Sequence, residues 1–151
     1  GMGVLGGCAA QQTSAVTEAQ SENRAYMTQV NQTMETLKDR LASFSDAVSR
    51  GDVVNMRTQA DNAFKALDSL SSQDAPDSLK DIKQQYVDGC ADLETALSDY
   101  VTLYAEIDSA TDTQPFDWSS YDERLAAIQS SYDSGIAKLE AGDKAAADLN
   151  G

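Results

Sequence analysis

Residues 27–48 read MTQVNQTMETLKDRLASFSDAV, and the spacing of their apolar side chains decides the fold. Met27, Val30, Met34, Leu37, Leu41, Phe44 and Val48 recur at alternating intervals of three and four. A backbone with about 3.6 residues per turn puts such positions on one narrow stripe, with Thr, Gln, Glu, Lys and Asp facing water. The spacing predicts an amphipathic helix over about residues 18–49. A single helix cannot cover its own stripe, so partner helices must do so.

The pattern stops at Arg50-Gly51-Asp52. Gly51 suits the left-handed conformation that ends a helix, and Asp52 can accept the first free amides of the next one. The tripeptide resembles an integrin-recognition site, but each of its residues already has a local task at a tight helix turn. A second stripe, Val53, Met56, Ala60, Ala63, Leu67 and Leu70 with Phe64 beside it, predicts a shorter helix over about 53–71. Ser71 to Pro76 breaks it, and Pro76 fits the first turn of a third helix, where its missing amide would have no partner anyway.

The third stripe reads Leu79, Ile82, Tyr86, Gly89, Leu93, Ala96, Tyr100, Leu103 and Ile107, widened by Leu97 and Tyr104. Thr111 to Asp117 is a loop, with Asp117 placed to cap the fourth helix. The stripe of that helix runs Trp118, Tyr121, Leu125, Ile128, Tyr132, Gly135 and Leu139, then fades through Ala146 and Leu149. Four helices joined by short connections predict an all-α, up-down-up-down antiparallel four-helix bundle with a shorter second helix. Gly89 and Gly135 sit on stripes, where glycine costs about 1 kcal/mol relative to alanine, which implies close helix approach or room for a ring such as Tyr86 or Tyr132.

The remaining composition agrees with a helical bundle. The chain has 151 residues, enough for one domain with one sizeable core, and its 2 prolines and 9 glycines leave little punctuation for many short strands. With 11 Lys and Arg against 25 Asp and Glu, the formal net charge is -14. Such a surface repels phosphate backbones, and no basic stripe interrupts it, so no nucleic-acid partner is expected. Anionic lipid headgroups are repelled by the same field.

The N-terminal stretch Leu5-Gly6-Gly7-Cys8 resembles the lipobox of bacterial lipoproteins: an aliphatic residue, two small ones, then the cysteine to be acylated. The resemblance covers about four residues and says nothing of the folded domain. It implies that Cys8 carries a lipid, that the protein is extracytoplasmic and anchored to a bacterial cell membrane through that lipid only, and that Gln11 to Asn23 acts as a polar tether. Residues 1–17 are then a signal-peptide remnant with a flexible tether, and residues 18–151 the bundle. On this reading Met2 to Gly7 are the tail of an apolar signal region and Gly1 an expression-tag residue. Met2-Gly3 followed by Cys8 is a weaker match to a myristoylation signal, since Gly7 stands where Ser or Thr belongs.

Catalysis is poorly provided for. With no His the chain lacks the commonest general base and transition-metal ligand. Carboxylate-bridged metal sites need inward Glu and Glu-x-x-His pairs, and no stripe position holds an acid. No calcium loop and no phosphate-binding loop occurs in the sequence. Cys90 lies next to the third stripe and reads as a half-buried packing residue. No enzyme activity, metal or cofactor is expected.

The third and fourth helices, at about 1.5 Å per residue, span roughly 45–50 Å against about 28 Å for the second. Their hairpin should project beyond the first two helices, carrying Tyr100, Tyr104, Phe116, Trp118 and Tyr121 at one end. The stripe assigns Trp118 and Tyr121 to the core, whereas Phe116 comes after Pro115 in the loop. These five are the candidate binding residues. Two functions are expected from them: a non-catalytic binding module for a protein partner, or a small-molecule carrier with an aromatic pocket between the third and fourth helices.

Overall fold

The computed structural model describes the backbone of residues 2–150 and the side chains of residues 20–149. Its four α-helices are α1 (Met2–Arg50), α2 (Val53–Ser72), α3 (Lys80–Ser109) and α4 (Tyr121–Asn150). Single 3-10 turns, Asp77–Leu79 and Trp118–Ser120, lead into α3 and α4. No strand occurs among the described residues, and the chain is the all-α, up-down-up-down bundle that the stripes predict, with α2 the short member. The bounds of α1 begin upstream of residue 18. Cys8, and the tether expected over 1–17, lie outside the residues whose side chains are described.

The connections form as their residues dictate. Gly51 takes φ 67°, and the amides of Gly51 and Asp52 return to the carbonyls of Val48 and Ala47 at 3.0 and 3.1 Å, closing the last turn of α1. The Asp52 carboxylate then accepts the Asn55 amide at 3.1 Å and starts α2. Pro76 stands just before a 3-10 turn rather than inside α3, which begins one turn later at Lys80. Asp117 accepts the amide of Ser119 at 3.1 Å and caps the turn before α4.

The core tracks the stripes with adjustments at their ends. In α1 the buried set is Tyr26, Val30, Met34, Leu37, Leu41, Phe44 and Ala47, while Met27 and Val48 are half-buried. Among the described residues α3 packs against both α2 and α4, and α2 against α1; the backbones of α1 and α4 share no comparable seam. As the central helix, α3 buries a broader face, which is why Leu97 and Cys90 are fully enclosed, Cys90 being more deeply placed than its off-stripe position predicts.

The tightest seam is α3 on α4. Gly89 and Gly135 face one another there, with the backbones in van der Waals contact. A third glycine, Gly142, makes the room for a ring: Tyr86 lies against it, wholly buried, its hydroxyl donating to the Asp143 carboxylate at 2.7 Å. On the outer edge of the seam the Asp92 carboxylate accepts from Ser134 at 2.8 Å and Lys138 at 2.7 Å.

Candidate functional site: the open end of the bundle

Phe44 of α1 meets Tyr100 of α3 edge to face, ring centroids 5.8 Å apart. This contact sets Tyr100 level with the last turns of α1, not on a projecting tip. Between α3 and α4 a small second core of Ala96, Leu103 and Ile128, with Tyr100, Tyr132, Leu125, Ile107 and Phe116 packed on it, runs from this level toward the hairpin end. Tyr100 stacks on Tyr104 at 6.1 Å, so the sequence-predicted aromatic residues form one run from a cleft beside α1 to the hairpin end.

Tyr100 belongs to a cleft of about 380 Å³ between α1 and α4, lined chiefly by Leu41, Phe44, Val48, Tyr100 and Tyr132, with Asp133 at its rim. The cleft exists because α1 and α4 are not drawn together by small residues as α3 and α4 are. Its position differs from the pocket expected between the third and fourth helices. Phe44 and Tyr132 were both legible as stripe residues, but their shared cleft depends on which helices fail to close. Burial raises the Tyr132 hydroxyl above its ordinary range.

Tyr104, Phe116, Trp118 and Tyr121 gather at the hairpin end. Trp118 is 62% exposed, which corrects its assignment to the core; Tyr121 and Phe116 are half-buried. The reason is twofold: Trp118 lies in a 3-10 turn, where α-helical spacing no longer applies, and no third helix reaches this level to cover it. Trp118 stacks on Tyr121 at 5.4 Å, and Phe116 meets Trp118 edge to face at 4.9 Å. The hydroxyls of Tyr104 and Tyr121 lie 3.4 Å apart, and this hydrogen bond, with burial, pushes Tyr104 up to about 12.

The surroundings of these rings are acidic. Glu106, Asp108, Asp112, Asp117, Asp122 and Glu123 are all exposed, and from Gln84 to Glu123 the chain contains no Lys or Arg. The nearest cation, Arg124, forms an ion pair with Glu106 that holds this carboxyl below its ordinary range. The same guanidinium lies over the Phe116 ring, 6.0 Å from its centroid. A shallow recess of about 340 Å³ beside them is lined by Glu106, Pro115, Phe116, Asp117 and Arg124.

Elsewhere two titratable groups lie deep in the core. Cys90 is a free thiol, buried, and burial pushes it up to about 11, so little of it is the reactive thiolate at neutral pH. The buried Tyr26 hydroxyl has no hydrogen-bond partner, and burial likewise pushes it up to about 12. Among the described residues no three Cys, Asp or Glu side chains converge to hold a metal ion, and no helix is long and apolar enough to cross a membrane. The chain matches no protein-family model, and no curated protein and no solved structure matches it.

Proposed function

We propose that this chain is a lipid-anchored, extracytoplasmic, non-catalytic binding module that engages a protein partner through the end of its α3–α4 hairpin. The observation that supports it is the exposure of Trp118 on a stack of Phe116 and Tyr121, since aromatic side chains left in water dominate the energetics of protein interfaces. The anchor rests on the resemblance of Leu5-Gly6-Gly7-Cys8 to a lipobox, and the direction of α1 fixes which end such an anchor would present. Ser78 bonds to Asn23 at one end, at 3.0 Å, and Phe44 meets Tyr100 toward the other. From residue 20 to Arg50, α1 rises about 45 Å at 1.5 Å per residue. A lipid on Cys8 would thus leave the aromatic end outermost, presented away from the membrane.

Two measurements test this. Mass spectrometry of the protein from its native host should find an acylated glyceryl group on Cys8 as the N-terminal residue; an unmodified N-terminus upstream of Cys8 would refute the anchor. A photoreactive phenylalanine in place of Trp118 should crosslink to a protein in native membranes, and one in place of Lys83, near the opposite end, should not. Equal yields from both positions would refute the binding end.

The cleft between α1 and α4 supports a second reading, a carrier of a small aromatic or apolar molecule seated between Phe44, Tyr100 and Tyr132. Native mass spectrometry of the protein from its host should then show a bound molecule that Tyr132→Ala loses. The same reading fails if the untreated protein carries nothing.

A further inference from the structure

We propose that the partner segment held at the hairpin end is cationic and rich in arginine, an inference that rests on the binding-module reading above and specifies its chemistry. Apolar exposure alone would not select a partner class; its surroundings do. Trp118, exposed and stacked on Tyr121, presents a ring whose negative quadrupole attracts a guanidinium, and Asp117 and Asp122 adjoin these two residues in sequence. Glu106, Asp108, Asp112 and Glu123 extend the same sign of charge around the end of the hairpin, all exposed and with Arg124 the only cation nearby in sequence.

The structure also contains an internal example of the contact. Arg124 pairs with Glu106 while its guanidinium lies over Phe116. That is a planar cation held between a carboxylate and an aromatic face, the arrangement arginine favours over lysine because its delocalised charge is weakly hydrated and stacks. Trp118 and Tyr121 supply the aromatic part of a second such contact, with Asp117 and Asp122 next to them in sequence, and have no cation of their own chain on them among the described residues. An incoming arginine side chain would complete the second copy, and the acidic surroundings would steer a basic segment toward it while rejecting an acidic one.

Trp118 is the chain's single tryptophan, so its emission reads occupancy directly. The full chain is titrated with an eight-residue arginine peptide, and with glutamate and glycine-serine peptides of equal length. The arginine peptide should shift Trp118 emission saturably, and the other two should not. Tyr121→Leu, which keeps the reporter, and Asp122→Lys should each weaken binding about tenfold or more with unchanged helical circular dichroism. Reversing the exposed Asp61 and Asp68 on α2 to lysine should change it less than twofold. An eight-residue lysine peptide should bind several-fold more weakly than the arginine one.

Emission unmoved by the arginine peptide would overturn the proposal. So would a loss on reversing Asp61 and Asp68 equal to that of Asp122→Lys, since attraction would then be general to a polyanion. Equal binding of the glycine-serine peptide would overturn the charge selection. Should photocrosslinking at position 118 still capture a protein while arginine peptides fail, the binding end stands and this assignment of its partner falls.

Discussion

A Cβ on Gly89 would lie 2.8 Å from the carbonyl oxygen of Gly135, and a Cβ on Gly135 would lie 2.9 Å from the carbonyl oxygen of Gly89. The contact is reciprocal and its partners are backbone, which cannot rotate away. Alanine at either position gains about 1 kcal/mol in helix propensity but must force α3 and α4 apart, an overpacking that costs about 1–3 kcal/mol. Gly89→Ala should therefore lower the unfolding free energy, by up to about 2 kcal/mol after that gain. Urea unfolding with an unchanged m-value reads the difference, and a stabilised variant would contradict the seam. The double alanine variant should be non-additive, since both changes strain one contact.

Gly142 and Tyr86 form the second such lock. A Cβ on Gly142 would come within 2.7 Å of Cε1 of the buried Tyr86 ring, so Gly142→Ala, which must displace it, should cost up to about 2 kcal/mol after its gain in helix propensity. Tyr86→Phe keeps the ring but loses the 2.7 Å hydrogen bond to Asp143, for about 0.5–1.5 kcal/mol. Thermal unfolding should place both variants below the parent chain, and a Gly142→Ala variant that melts higher would contradict the ring's seat on this glycine.

Exposure of Trp118 separates display from packing. Trp118→Ala should change stability by no more than about 0.5 kcal/mol, as at other surface positions. Leu103→Ala, in the small core that supports the same hairpin end, should cost about 2–5 kcal/mol and reduce amide protection around it. If Trp118→Ala destabilises as much as Leu103→Ala, the ring belongs to the core and the binding end is lost.

Buried thiol and phenol groups predict alkaline weakness. Cys90 rises from an ordinary 9.0 to about 11 and Tyr26 from 10.0 to about 12, with burial the leading cause in both. Their protonated forms are the ones the fold accepts. Their contribution is intact below the pH at which the unfolded chain ionises and is lost as pH rises through the folded values. Melting temperature should thus begin to fall near pH 9 and drop further between about pH 10 and 12, and Cys90→Ala with Tyr26→Phe should blunt the decline. A flat profile through about pH 11 would contradict these burials.

Most of the fold was legible because its signals are local. The three-and-four spacing needs only one helix to be read, and Gly51 with Asp52 ends one helix and starts another through hydrogen bonds within five residues. Gly89 and Gly135 were legible as a close approach. Gly142 was not, because nothing nearby in sequence shows that Tyr86, on another helix, needs its space. The candidate site was legible in part: the aromatic residues were recognisable, but Tyr100 sits against Phe44 in a cleft and Trp118 in water.

What the amino-acid sequence determined by itself, then, is the four helices, their turns, the net charge and the lack of any His, since each depends on residue type and spacing along the chain. Tertiary structure alone decided that α1 and α4 stay apart while α3 and α4 touch at two glycines, that Tyr26 and Ala47 turn inward in place of Met27 and Val48, and that Trp118 is uncovered. The physical reason is common to all three. Burial belongs to a pair of surfaces, so whether a side chain is enclosed depends on which neighbour reaches its level in the bundle.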